Sequence, residues 1–263
     1  MDYSEVSIIV PTFLRDGCLI NTLGRIQQYL AECKVIVVDD GYQTQAKDYL
    51  YNMMRQDGHQ AVYMPFDSGI AAKRNVGVRL ANTEYVVIAS DDYNFEAVSR
   101  SDFTMWYKAL QSFCCYVAGG RVNNRPYEGF LTMVNNVMHE RLWQEGDTQS
   151  NVDGITIHSV DIVCNYFMTR RKFLLRYPWD EQFKIGGEHG DFFWRIKQAW
   201  QPRRVVAYVP GTNVNQFELD PRLRDVAFPV FRARAMQYHL KFMKKWGIKE
   251  YKGIDPTSNV RLN

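Results

Sequence analysis

Cysteine is scarce in this 263-residue chain, and the five present (Cys18, Cys33, Cys114, Cys115 and Cys164) show no CxxC spacing. An odd, unspaced set argues against both a disulfide framework and a structural zinc site. With 17 glycines and 9 prolines the chain is neither collagenous nor low-complexity. No apolar run approaches the roughly 18 residues needed to span a bilayer. The chain opens Met-Asp-Tyr-Ser-Glu, without the basic and apolar regions of a signal peptide, and carries no Asn-x-Ser/Thr sequon. These absences predict a protein of the reducing cytoplasm. No GxGxxG follows the first apolar run and no GxxxxGK[ST] occurs anywhere. A Rossmann dinucleotide site and a P-loop are therefore disfavoured.

What is present suffices for a folded globular protein. A 46% hydrophobic share at this length supports a core that needs no covalent staple. The net charge of +3 hides an asymmetry. Residues 221–263 carry ten Lys/Arg against three Asp/Glu, whereas the first 220 carry 22 against 26. A basic tail on a mildly acidic body points to an anionic partner such as nucleic acid, phosphate or a membrane surface. The plainer reading is a solvated helix face.

Ser7–Pro11, Lys34–Asp39 and Glu84–Ala89 are continuous apolar runs ending in polar or turn residues, and Ala61–Met64 is a weaker strand candidate. Such runs suit parallel strands buried on both faces. Residues 16–31, 43–57 and 69–82 carry helical periodicity between them. The alternation implies βαβ units and an α/β fold with a mainly parallel central sheet flanked by helices. In such sheets ligands bind beyond the carboxyl ends of the strands. Residues 121–156 read as irregular and Asn-rich, with Tyr127, Phe130 and Trp143 interspersed. Beyond them, 157–170 and 203–209 read as strands and 188–199 as a helix. The stripe Ala233, Met236, Leu240, Met243 predicts a helix over 230–246. With no repeat or linker, the pattern predicts one domain over 1–220, in halves 1–120 and 121–220, and a basic helical extension over 221–263.

Candidate chemistry lies at the strand ends. The first run leads into Pro11-Thr12-Phe13-Leu14-Arg15, where a proline ends ladder pairing. The second leads into Asp39-Asp40-Gly41, by itself a turn signal. Small residues in Asp67-Ser-Gly-Ile-Ala-Ala-Lys73-Arg74-Asn75 allow a close-packed helix start, with Lys73 and Arg74 either meeting a diphosphate or lying on a solvated face. The fourth run ends in Ser90-Asp91-Asp92. Adjacent carboxylates there call for a cation, and hard oxygens suit Mg²⁺ or Mn²⁺. In Gly186-Gly-Glu188-His189-Gly-Asp191, with Arg195 beyond, the acidic residues either stabilise a helix dipole or serve as a general base. His59, His139, His158 and His239 lack ligand spacing and read as structural or surface residues. Trp143 and Tyr127 suit stacking on an acceptor or plain packing. Cys114-Cys115 reads as core.

These motifs, in this order, resemble the family-2 glycosyltransferases of the GT-A fold over roughly residues 7–216. Thr12-Phe-Leu-Arg15, Met64-Pro-Phe66, Asp91-Asp92-Tyr-Asn-Phe95, Asn165-Tyr-Phe167 and His189-Gly-Asp191-Phe-Phe193 are similar to the catalytic domains of β-1,4-N-acetylgalactosaminyltransferases of the ganglioside-synthase type. The resemblance implies an inverting transferase of a hexose or N-acetylhexosamine, using a UDP-sugar and Mn²⁺ or Mg²⁺. It assigns residues 1–120 to the nucleotide-sugar and 121–220 to the acceptor and catalysis. Pro11, Thr12, Arg15 and Asp39 or Asp40 would hold the uridine, and Arg74 would approach the uridine or diphosphate. Asp92 would bind the metal. Ser90 stands at the first position of the family's Asp-x-Asp, so either Asp91 compensates or coordination is looser. The base would be Asp191, Glu188 or His189, with Asp191 favoured. Gly211–Gln216 lacks the late histidine that many members give to the metal.

The expected acceptor is a glycan or saccharide. The alternative, motivated by the basic tail, is DNA with hydroxymethylated pyrimidines, as in phage-type base glycosylation. A sugar-nucleotidyltransferase would need a Gly-rich loop where Pro11-Thr12-Phe13 stands. A non-catalytic binding module of the same fold is the reading from another class, motivated by Ser90 and the missing histidine.

Overall fold

Strands and helices alternate through the first hundred residues because apolar runs and amphipathic stretches do. They are β1 (Val6–Thr12), α1 (Asp16–Tyr29), β2 (Lys34–Asp39), α2 (Gln45–Gln56), β3 (Gln60–Tyr63), α3 (Ile70–Leu80), β4 (Tyr85–Ile88) and the short β5 (Tyr93–Asn94). There follow α4 (Val98–Gln111), β6 (Val117–Val122), β7 (Gly129–Val134), β8 (Val137–Leu142), β9 (Gln149–Val152), β10 (Ile155–Val160), β11 (Phe167–Arg170), α5 (Arg171–Arg176) and α6 (Glu188–Trp200). The chain closes with β12 (Val206–Gln216), α7 (Phe228–Arg232), α8 (Ala235–Lys245), β13 (Glu250–Lys252) and β14 (Val260–Arg261). The structure, a computed structural model, describes residues 1–112, 115–125, 128–217, 225–254 and 259–262. Cys114 and Tyr127 lie outside the described residues.

The central sheet runs β3-β2-β1-β4-β11-β6-β12-β10-β9, with β5 pairing β12. Its first four strands are parallel, as expected. β11 then enters antiparallel between β4 and β6, which makes the whole sheet mixed. Alternate residues serve opposite faces. Ile9, Ile36, Val38 and Val86 pack with residues of α3, α5, α6 and α8, while Ile8, Val10, Val35 and Val37 pack with residues of α1, α2 and α4. Both faces are covered, which is why these strands read as unbroken apolar runs. Gly77 lets α3 approach β1, since a Cβ there would stand 2.4 Å from Ile9 Cγ2.

Four departures from the sequence expectation have physical causes. Pro11 lies inside β1, not after it. Pairing with β2 continues to Thr12↔Asp39, but pairing with β4 stops at Ile9↔Ile88, so no ladder bond on that side is lost. Residues 121–156 hold two hairpins where irregular sequence was expected: β7–β8 turns on Asn135-Asn136 and β9–β10 on Asp153-Gly154, all four at positive φ. Such two-residue turns match the twist of a hairpin. The run read as one strand over 157–170 is two, β10 and β11. The last segment is helical in α7 and α8 and then adds β13 and β14, which extend β8 and β7 into a second sheet.

Candidate active site

The acidic pair at the end of β4 is buried, Asp91 at 0% and Asp92 at 2% exposure. Two adjacent carboxylates out of water need a counter-charge, and Arg15 supplies it from the β1–α1 loop. Its guanidinium donates to Asp92 Oδ2 at 2.7 Å, to Ser90 Oγ at 3.2 Å and to Asp91 Oδ1. Thr12 Oγ1 donates to Asp91 Oδ2 at 2.7 Å, and Gln216 Nε2 to Asp92 Oδ2 at 2.8 Å. Burial lowers the Arg15 pKa, but Asp91 and Asp92 more than reverse this and hold it above its usual value. Burial also raises the Asp91 carboxyl, opposed by Arg15 and helped by Asp92. Asp92 Oδ1 is buried without a hydrogen-bond partner among the described residues.

The other nucleotide-side candidates are largely consumed in holding turns. Asp39 accepts from the Gly41 N–H and from Tyr51 Oη, each at 2.7 Å, and pairs with Lys47 at 3.0 Å. Asp40 accepts from the Gly69 N–H at 2.7 Å and from Lys73, which also donates to the Thr12 carbonyl. Lys73 is buried, and so is Arg74. Neither belongs to a solvated basic pair. Burial lowers the Lys73 ammonium, with Asp40 opposing. Pro11 is buried within β1.

Above the β1–α1 loop lies an aromatic cluster that the sequence did not reveal as a unit. Phe13 meets Phe66 at 5.4 Å and Phe231 at 5.1 Å, and Phe66 stacks on Tyr42 at 4.8 Å. Phe231 comes from α7, and Phe228 of the same helix lies 5.1 Å beneath the Arg15 guanidinium. Arg234 clamps Asp67 at 2.9 and 2.6 Å, and the Asp225 N–H bonds the Leu14 carbonyl at 2.8 Å. The aromatic spacing Phe228/Phe231 inside the basic tail was the available signal.

On the facing side, α6 begins after Gly187, whose φ of +77° suits glycine and whose position beside the Tyr238 carbonyl leaves no room for a Cβ. Glu188 is buried, with Oε1 3.4 Å from Arg74 and Oε2 without a partner among the described residues. Arg74 lies 5.4 Å over the Trp179 ring. It therefore braces α3 against α6. His189 Nδ1 lies 2.7 Å from Asn165 Oδ1, and Tyr93, next to Asp92, donates to the Asn165 carbonyl at 3.1 Å. Burial and then Arg74 push the His189 imidazole down to about 3, so it is neutral.

Asp191 is differently placed. It is fully buried, with Oδ1 taking Lys245 at 2.6 Å and Trp246 Nε1 at 2.8 Å, and Oδ2 taking Arg195 at 2.9 Å. These contacts fasten α6 to the end of α8. The structure thus joins Glu188 and His189 to the edge carrying Asp92, while both Asp191 oxygens are committed elsewhere. Gln216, at the strand position where no histidine stands, reaches Asp92, and Asn123 holds it from both sides at 2.8 and 2.7 Å. Trp143 stacks on His158 at 3.7 Å, a packing contact.

The donor set fits a divalent ion of the Mg²⁺ or Mn²⁺ class. Asp92 Oδ1 is an unpartnered buried oxygen, Asp91 and Ser90 stand beside it, and all are hard donors. Among the described residues no cluster of three or more His, Cys, Asp or Glu side chains accompanies it. An ion held here would complete its shell from diphosphate oxygens and water.

The sequence profile of Glycosyl transferase family 2 matches residues 7–177. A β-1,4 N-acetylgalactosaminyltransferase 2 of Mus musculus is 29% identical over 214 residues, covering 80% of this chain and 39% of the relative. This chain thus spans well under half of that relative's length. Among solved structures, GalNAc-T7 with UDP, GalNAc and Mn²⁺ aligns over 82% of this chain and 43% of its own, at TM-score 0.61 and 11% identity. TarS of S. aureus aligns over 93% and 74%, at 0.55 and 14%. Its complex with UDP aligns over 91% and 71%, at 0.55 and 17%. At such identities the structures speak to the fold, an α/β GT-A architecture. Among the described residues no helix is long and apolar enough to cross a membrane. The profile match extends from β1 to the end of α5, across the acidic pair and its Arg15 counter-ion, and this chain belongs to glycosyl transferase family 2.

Proposed function

We propose that the chain is an inverting, metal-assisted transferase of a hexose or N-acetylhexosamine, from a UDP-sugar to a hydroxyl of a glycan or saccharide. The observation that carries this reading is a pair of buried carboxylate oxygens without a partner among the described residues, Asp92 Oδ1 and Glu188 Oε2, on elements linked through Tyr93, Asn165 and His189. A buried polar atom without a partner is costly, and each oxygen here has a use. Asp92, with Asp91 and Ser90 beside it, would hold a divalent ion, and that ion would supply charge neutralisation for the departing diphosphate. Glu188 Oε2 accepts the acceptor's hydroxyl proton as that oxygen bonds the anomeric carbon from the face opposite UDP, which leaves with the bonding electrons. Arg74 fixes the other Glu188 oxygen, and neutral His189 adds no competing charge. The base is thus Glu188, and Asp191 is its structural neighbour. The Mus musculus relative's name supports an N-acetylgalactosamine donor. The UDP in the solved relatives supports the nucleotide.

DNA as acceptor is the second reading, supported by the exposed Arg232, Lys241, Lys244 and Lys249. It requires binding that weakens steeply with salt, and an unchanged affinity from 50 to 200 mM salt rejects it. The main test is UDP release from UDP-glucose, UDP-galactose and both UDP-N-acetylhexosamines, with and without Mn²⁺. Metal-dependent release from one donor, lost in Asp92→Asn, is expected. No release and no UDP binding by calorimetry overturns the donor assignment and favours a non-catalytic module.

A further inference from the structure

The acid pair expected to meet a cation already holds one. Arg15 spreads its guanidinium across Ser90, Asp91 and Asp92, and its side chain is 16% exposed. Arg15 holds Asp92 Oδ2, Asp91 Oδ1 and Ser90 Oγ and leaves Asp92 Oδ1 open, so a divalent ion entering at Oδ1 would share both carboxylates with the guanidinium and meet its like charge. The two cations therefore compete for the pair.

The loop that carries Arg15 is built for a change of state. Leu14, the residue before it, is buried at φ +55°, the left-handed region that a branched apolar side chain adopts only under strain. Its carbonyl is held by the Asp225 N–H, and Phe228, three residues further on, lies under the guanidinium. The segment leading into α7 thus pins the loop from outside. Arg15 Nε is buried and makes no hydrogen bond among the described residues, so the present position leaves one donor unused.

We infer that Arg15 is a resident counter-ion: it neutralises Asp91 and Asp92 in the empty enzyme and yields them to the divalent ion as the nucleotide binds, its guanidinium passing to the diphosphate. The inference rests on the donor reading above. A planar fork that matches carboxylate oxygens matches phosphate oxygens equally well. The exchange keeps every buried charge paired before and after. It also makes metal and nucleotide cooperative, because the metal frees the guanidinium that the nucleotide needs, and such coupling is reciprocal.

Direct Mn²⁺ binding, followed by the electron paramagnetic resonance signal of the free ion, tests this on wild type, Arg15→Gln, Arg15→Lys and Asp92→Asn, each with and without UDP. Without UDP, Arg15→Gln is expected to bind Mn²⁺ about tenfold or more tighter than wild type, with Arg15→Lys between them. UDP should tighten Mn²⁺ binding strongly in wild type and much less in Arg15→Gln. Mn²⁺ should also raise the melting temperature of Arg15→Gln more than that of wild type, a readout that survives if the variant is destabilised. Equal or weaker Mn²⁺ binding in Arg15→Gln, with UDP binding and Asp92 dependence intact, overturns the counter-ion role and leaves the donor site standing. Mn²⁺ binding indifferent to Asp92, with no UDP binding in any form, overturns the donor reading and this inference with it.

Discussion

The carboxylates at the end of β2 and those at the ends facing each other across β4 and α6 are equally buried, yet they are committed differently. Asp39 and Asp40 spend all four oxygens on Gly41, Tyr51, Lys47, Gly69 and Lys73. Asp92 and Glu188 each keep one oxygen without a partner among the described residues. The difference teaches that burial alone does not mark a reactive acid. A saturated carboxylate is a strut that shapes the turn, and an incoming group has to displace something to use it. An unsatisfied one is held at a cost that an incoming ligand, water or substrate proton relieves.

Paired substitutions break this comparison most sharply. Glu188→Gln is expected to reduce turnover per folded enzyme by about 10²–10⁴-fold, the range of general-base catalysis, and to lower the melting temperature as well, because it takes the charge partner from buried Arg74. Asp40→Ala should cost stability without that loss of turnover. It leaves the Lys73 ammonium buried without its partner, at about 3–5 kcal/mol of stability, while the folded fraction retains turnover. Thermal melts beside UDP-release assays decide both. A Glu188→Gln enzyme of full activity removes Glu188 as base, and an Asp40→Ala enzyme that stays stable but fails to bind UDP moves Asp40 to the nucleotide.

Asp191 sharpens the contrast within a single helix turn, three residues from Glu188. Its oxygens bind Arg195, Lys245 and Trp246. Asp191→Asn removes the charge but keeps one acceptor, so the expected cost is about 1–3 kcal/mol. Turnover per folded enzyme should fall less than tenfold. Loss of turnover as large as in Glu188→Gln, in a protein that melts normally, would make Asp191 the base and Glu188 the strut.

Much of the first hundred residues was legible because its signals are local. Continuous apolar runs announced β1, β2 and β4, and the polar residues after them do gather at one sheet edge. The two hairpins in 121–156 were equally local: Asn135-Asn136 and Asp153-Gly154 are turn dipeptides, and reading only the polar composition hid them. Other features depend on partners far along the chain. Lys73 and Arg74 look like a solvated basic pair until Asp40, 33 residues before Lys73, and Glu188, 114 after Arg74, are seen to bury them. Arg15 reaches Asp91 across 76 residues, and Asp191 reaches Lys245 across 54. No periodicity encodes such pairings.

His189 extends the comparison from committed acids to a base kept uncharged. The residue is partly exposed, but its Nε2 is sealed from solvent, and burial with Arg74 sets its pKa at about 3 against 6.5 for a free imidazole. Between those values the unfolded chain binds a proton that the folded protein refuses. Stability from this group is therefore complete above pH 6.5 and lost as pH falls toward 3. Between pH 7.5 and 6 the loss amounts to roughly 0.8 kcal/mol for one such group. Urea unfolding of wild type and His189→Gln at both pH values isolates it, since every other titrating group is common to the two proteins. The wild type should lose that increment relative to the variant. Identical pH dependence would mean that His189 takes up its proton in the folded state, placing a cation between Arg74 and Asn165 and making the α6 start far more positive than its neutral form allows.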